Sequence, residues 1–141
     1  LDLLTKVFVV FKVEGYSKNL RKEVTKSSKW YFYDVGIRNA IIKNFNVLQN
    51  RNDVGQLWEN YLIIERKKKQ EYQRINSNNY FWRTYDQQEL DWLEEKADKL
   101  AAYEFKWSAT KKVKIPTAFK KAYPNANFEV IQKDNYLDFI T

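Results

Sequence analysis

The sequence predicts an α/β domain built on a mixed sheet, and three observations carry that prediction. From Val54 onward the pattern reads helix, three strand-like runs, helix, strand, the order of a meander with a crossover strand added beside it. The runs between Tyr80 and Ser108 interleave aromatic or aliphatic bulk with polar groups at a period of two. The 141 residues are 44% hydrophobic and 17% aromatic, enough for the core of one domain, or of one domain plus a fragment of another.

The elements follow in order. Leu1 to Thr5 reads as the last turn of a helix, Lys6 to Val13 as a strand, and Glu14-Gly15 as a turn. Tyr16 to Val24 is a polar return and Lys29 to Tyr33 an aromatic strand. A helix end followed by a basic hairpin suits the wing of a winged-helix unit. Such a wing touches nucleic acid or packs between domains; packing is favoured here, because no recognition helix is visible. Asp34 is placed to cap a helix from Val35 to about Phe45, with Ile37, Ala40, Ile41 and Phe45 on one side. Asn46 to Asn52 is a polar loop, and Asp53 caps a long helix from Val54 to about Gln73. Its apolar stripe is Val54, Leu57, Trp58, Tyr61 and Leu62. Glu65 falls inside that stripe, where a carboxylate is costly unless paired or liganded. Glu59 lies on its flank. After the three strands, Lys111 to Lys114 is a basic connection, and Pro116 opens a helix to about Tyr123. Phe128 to Gln132 is a strand, and Tyr136 to Ile140 an edge strand or a packed tail.

Composition excludes several chemistries. With no cysteine and no histidine there is no disulfide, thiolate zinc site, Ser-His triad or imidazole acid–base catalysis. Catalysis would rest on Asp, Glu, Lys, Tyr or a metal held by oxygen. The longest apolar run, Val7 to Phe11, is far shorter than a membrane span and no signal-peptide pattern is present, so a cytoplasmic location without membrane attachment is the expectation. The chain begins at Leu1 and contains no methionine, which reads as a piece of a longer polypeptide. The net charge of +7 is uneven: residues 1–30 carry seven basic and three acidic side chains, and residues 64–74 five basic and two acidic. A basic surface beside an acidic pocket suits a phosphate-backbone ligand; a solvated helix end at Arg66-Lys67-Lys68-Lys69 explains the second cluster equally well.

The candidate site lies in the strands. Tyr103, Phe105 and Trp107 share one face of the third run, and Ala102, Glu104, Lys106 and Ser108 the other. Asp91 shares parity with Glu89 and Leu93. A hairpin across the turn Glu94 to Lys99 brings Asp91 toward Glu104 and Lys106. Two carboxylates of this kind can fill part of a Mg²⁺ shell, and the lysine can orient water or stabilise charge in a phosphorane-like transition state. Glu59 or Glu65 from the long helix could add a ligand. The plain alternative is a cross-strand ion pair of little energetic weight.

Helix with Glu, strand with Asp, strand with Glu-x-Lys, helix, strand resembles the PD-(D/E)xK superfamily, the restriction-endonuclease-like fold. The stretches Lys29-Trp30-Tyr31-Phe32-Tyr33-Asp34-Val35-Gly36-Ile37, Gly55-Gln56-Leu57-Trp58-Glu59-Asn60, Tyr80-Phe81-Trp82-Arg83-Thr84, Glu89-Leu90-Asp91 and Glu104-Phe105-Lys106-Trp107-Ser108 resemble the uncharacterised C-terminal domain of bacterial and archaeal AAA-type ATPases. The resemblance implies a winged-helix remainder over residues 1–33 and a nuclease-like domain over 34–141. It implies Glu59, Asp91, Glu104 and Lys106 as catalytic residues, with Asp91, Glu104 and Glu59 on Mg²⁺ or Mn²⁺, and hydrolysis of DNA phosphodiesters. Glu89, Arg83 and Glu65 fall at family-typical positions. ATP would bind only an upstream domain of the same polypeptide, through which the protein would form a homo-oligomer. Relatives of this fold also bind without cutting, so the alternative is a non-catalytic nucleic-acid- or protein-binding, regulatory domain. The motif favours Glu59 as the helical carboxylate and the stripe favours Glu65.

Overall fold

The structure, a computed structural model, describes residues 2–18, 27–108 and 113–141. Six strands form one sheet in the order β2-β1-β3-β4-β5-β6. They are β1 (Val10–Gly15), β2 (Ser28–Phe32), β3 (Asn78–Arg83), β4 (Glu89–Lys96), β5 (Lys99–Phe105) and β6 (Asn127–Ile131). The neighbours β1/β3 and β5/β6 are parallel and the remaining pairs antiparallel. The predicted meander with a crossover strand is therefore β3-β4-β5 plus β6, reached through α4 (Thr117–Ala122).

Helices cover both faces. On one, α3 (Val54–Tyr72) and α5 (Tyr136–Ile140) close over Phe11, Val13, Tyr31, Phe81, Trp92, Phe105 and Ile131. On the other, Phe119 of α4 packs among Tyr16, Trp82, Leu90, Leu93 and Ala102, its ring centroid 5.1 Å from that of Trp82. Trp82, Trp92, Phe81, Phe119, Leu62, Ile63, Leu90 and Leu93 are wholly buried.

The N-terminal hairpin belongs to the same sheet. Five register pairs join β1 to β2, but only Glu14↔Tyr80 and Gly15↔Phe81 join β1 to β3. Strand β1 starts later than the expected Lys6, because α1 (Asp2–Lys6) occupies that position and Phe8 turns the chain at φ 57°. Most of the expected return Tyr16 to Val24, and Lys111 and Lys112 of the basic connection, lie outside the described residues.

Several local expectations need correction. Asp34 does cap α2 (Val35–Ile41), accepting from the Ile37 N–H at 2.9 Å. Asp53 makes no side-chain cap on α3; its carboxylate instead takes Arg51 and Arg38, at 2.8 Å each. The Arg51 and Arg38 hydrogen bonds hold its carboxyl below the usual range. The apolar side of α2 faces outward, Ile37, Ile41 and Phe45 being exposed, while Arg38 is buried. The polar loop carries a 3-10 turn at Leu48–Asn50. The β4–β5 turn is tighter than Glu94 to Lys99: only Ala97 and Asp98 stand between the paired Lys96 and Lys99, at φ 45° and 62°. Tyr136–Ile140 is a packed helix rather than an edge strand, with Phe139 5% exposed. No helix among the described residues is long and apolar enough to cross a membrane.

Candidate functional site

Helix α3 packs on the sheet core through Trp58, Leu62 and Ile63. Beside that apolar contact runs a polar row, Glu59, Arg66 and Gln70, which with Ile63 is spaced as one helical face. Each polar member meets a strand. Tyr31 Oη donates to Glu59 Oε1 at 2.5 Å. Arg66 Nε and Nη2 donate to Glu94 at 2.6 and 2.8 Å. Gln70 and Asn79 exchange amide hydrogen bonds at 2.7 and 3.1 Å. Asn60 beside them caps the edge of β2, accepting from Phe32 N at 2.9 Å and donating to Phe32 O at 2.8 Å. The stripe residues Val54, Leu57, Trp58 and Tyr61 line an apolar cavity of about 240 Å³ with Trp107, which carries no carboxylate or amine.

The polar row separates the two helical carboxylates by their surroundings. Glu65 stands apart from the strands' acids and pairs with Lys68 at 2.7 Å on its own helix. Its place in the stripe was a misleading sign: Trp58 and Leu62 of the stripe enter the core, whereas Glu65 is only partly buried and paired on its own helix. Glu59 is directed at Lys29 and Tyr31 of β2.

Asp91 is positioned by a β-bulge. Tyr80 pairs with Leu93 and Trp82 with Leu90, so Asp91 and Trp92 together oppose Phe81. The bulge breaks the parity expected for Asp91 and Leu93: Leu90 and Leu93 pack toward α4, whereas Asp91 is directed at Lys29 and Glu59. The regular pairing of β4 with β5 runs only from Lys96↔Lys99 to Trp92↔Tyr103. Beyond it, Asp91 Oδ2 accepts the Phe105 N–H at 2.8 Å, so the carboxylate takes a backbone donor that the parting strand has released.

Lys29 is the hub. Its Nζ lies 3.1 Å from Glu59 Oε1 and 3.9 Å from Asp91 Oδ1 and pairs directly with Glu89. It also sits 5.4 Å from the centroid of the Phe81 ring. Arg83 Nε donates to Glu89 at 2.7 Å. A cavity of about 310 Å³ opens here, lined by Lys29, Tyr31, Glu59, Arg83 and Glu89 among others. Lys29 was not named in the sequence as a site residue. A lysine on an aromatic strand carries no motif of its own, and only the fold brings β2 to the acids.

The electrostatics follow from this crowding. Burial first, then the charges of Glu59 and Glu104, push the Asp91 carboxyl up to about 7, against the pull of the Phe105 N–H and Lys29. Burial disfavours the Lys29 ammonium, but Glu59, Glu89 and Asp91 outweigh it and raise its pKa. Burial, with Glu59 next, raises Tyr31 and keeps its hydroxyl a donor. Burial works to raise Glu89, yet Lys29 and Arg83 prevail and lower it.

Glu104 and Lys106 form a neighbouring pair at 2.6 Å. Burial opposes the Lys106 charge, but Glu104, Asp91 and Glu59 hold its pKa above the ordinary value. The aromatic side of β5 behaves as alternation requires: Tyr103, Phe105 and Trp107 pack with the cluster under α3, and Ala102 with the other.

Glu59, Asp91, Glu104 and Lys106, from three separate elements, are thus within electrostatic reach of one another. Carboxylate oxygens are the right donors for a hard divalent ion. Their arrangement does not match one: among the described residues no three acidic side chains are placed to hold a metal ion, and an ammonium stands between Glu59, Glu89 and Asp91. As arranged, the pocket holds a positive group and carries a carboxyl able to exchange its proton near neutral pH.

Comparison with known families gives two matches. Residues 54–139 match a domain of unknown function, DUF4143, and residues 1–48 match another, DUF8612. The two meet near the 3-10 turn after α2, whereas the sheet and the Lys29 contacts run across that boundary. None of the curated proteins and none of the solved structures compared matches the chain.

Proposed function

The chain belongs to the family described as a domain of unknown function, DUF4143, and we propose that it serves as a nuclease-like accessory domain of an AAA-type ATPase, engaging the phosphate backbone of DNA. The observation that carries this reading is the approach of Asp91 to Glu59 and to the Glu104–Lys106 pair, four groups from α3, β4 and the end of β5 in the order of the resembling nucleases. The net charge of +7, with its excess in residues 1–30 and 64–74, favours a polyanionic partner. Because Lys29 pairs with the acids and no three acidic side chains among the described residues are placed to hold an ion, the role favoured is binding and regulation of the ATPase, not cutting.

Hydrolysis with Mg²⁺ or Mn²⁺ is the second reading. It is favoured by one observation, the gathering of Asp91, Glu59 and Glu104, whose charges add to burial in raising the Asp91 pKa. Fluorescence anisotropy of duplex DNA against this chain, across a salt series, tests the first reading. Binding that weakens linearly in log salt supports it; no binding even at low salt counts against it. Retention of the duplex uncut in Mn²⁺, with the ATPase supplied, separates the two.

A further inference from the structure

The segment after β2 turns its polar groups inward and its apolar groups outward. Between Val35 and Leu48 the charged residues are Arg38 and Lys43. Arg38 is buried and holds Asp53, which Arg51 holds as well. Arg51 also donates to Asn39 Oδ1 and to Asn44 O, at 2.9 Å each, and so fastens α2 to the loop that follows it. Ile37, Ile41, Ile42, Phe45, Val47 and Leu48 face the other way, 42% to 74% exposed, with Phe45 the most open. Folding ordinarily places such groups in reverse, because apolar area left in water forgoes the main stabilising effect. We propose that this face is a dimer interface, covered by the same face of a second copy of the chain. The inference is independent of the DNA reading.

Three observations favour a copy as the occupant. The six side chains expose on the order of 600 Å² per copy, which with the neighbouring cavity wall approaches the roughly 800 Å² per partner of a stable interface. The face also carries both a projection and a recess. Phe45 stands 74% exposed, and beside it opens the apolar cavity of about 240 Å³ lined by Val35, Leu48, Leu57, Trp58 and Trp107 among others. An apolar cavity of about 150 Å³ already accepts a benzene ring, so a phenyl side chain fits this one. Leu48 belongs to the exposed face and to the cavity wall alike. A two-fold axis then lets the Phe45 of each copy enter the cavity of the other, the self-complementary geometry of an isologous contact. Finally, Lys43 is the exposed charge of the segment, which leaves a strongly charged partner little to pair with. The Arg51 and Arg38 bonds hold the face in shape beforehand, so docking orders little.

Sedimentation equilibrium of the chain of residues 1–141, from about 1 to about 200 μM, tests this. A monomer–dimer equilibrium is expected. Raising NaCl from about 50 to about 500 mM should leave it unchanged or tighten it, because two copies of formal charge +7 repel and salt screens that repulsion. Phe45→Ser and Ile41→Ser should each weaken the dimer at least about tenfold. Both side chains stand in solvent in the single copy, so neither variant loses core packing. Tyr72→Ser, an exposed position at the other end of α3 and about 27 Å from Val54 by helical rise, should associate as wild type does. A chain that stays monomeric throughout overturns the inference and leaves the face to a different protein or to further residues of a longer polypeptide. A dimer that added salt weakens, that Phe45→Ser leaves intact, or that Tyr72→Ser breaks as readily overturns it as well.

Discussion

The Phe105 N–H donates to Asp91 Oδ2 at 2.8 Å across the gap where β4 parts from β5. A side chain thus replaces a ladder hydrogen bond at a bulge, and a carboxylate is held where burial and its neighbours oppose its charge. Asp91→Asn keeps the acceptor and removes the charge. For an acid whose pKa is raised on folding, the stability it contributes is full below the unfolded pKa and is lost as pH rises through the folded one. The window here runs from the ordinary carboxyl value of 3.8 to about 7. The variant should therefore gain stability over wild type progressively through that window, by at most ~4 kcal/mol at about 1.4 kcal/mol per pKa step. Urea unfolding of both proteins across pH measures the difference.

Arg66 ties α3 to β4 and α5. Besides its two bonds to Glu94 it donates to Phe139 O at 2.7 Å, and Trp92 Nε1 donates to the same Glu94 carboxylate at 2.9 Å. Removing one partner leaves a buried charge unpaired. Arg66→Ala or Glu94→Ala should each destabilise the fold by about 3–5 kcal/mol, measured by denaturant midpoint at constant m-value.

Asn60 satisfies both backbone groups of Phe32 on the edge strand β2. Asn60→Ala strands a donor and an acceptor and should cost about 1–3 kcal/mol. Hydrogen exchange should show the loss concentrated in β2, with β4 and β5 little changed.

Ala97 and Asp98 form a two-residue turn with both φ values positive, a conformation that Asn-Gly adopts with less strain. Ala97→Asn/Asp98→Gly should raise stability by about 0.5–1 kcal/mol. A thermal melt checks it.

What the sequence made legible was the periodicity of single elements. The meander, the crossover strand, α3 and the Asp34 cap all announce themselves within a few residues. What it concealed were pairings between elements. Beside the apolar contact of α3 lies a polar face of Glu59, Arg66 and Gln70, whose burial is offset by Tyr31 and Glu94, each 28 residues away, and by Asn79 after the helix. A hydrophobic stripe cannot register such a face, so Glu65 looked buried and Glu59 looked peripheral. Lys29 was hidden for the same reason, and the bulge at Asp91 is a matter of register that alternation alone cannot reveal.

The gathering of the acids is read most directly from the titration of Asp91, followed by carboxyl-carbon NMR in wild type and in Glu59→Gln. The carboxyl should titrate near 7 in wild type, and lower once the Glu59 charge is gone. A wild-type value close to about 4, unmoved by Glu59→Gln, would mean that these side chains do not share a pocket.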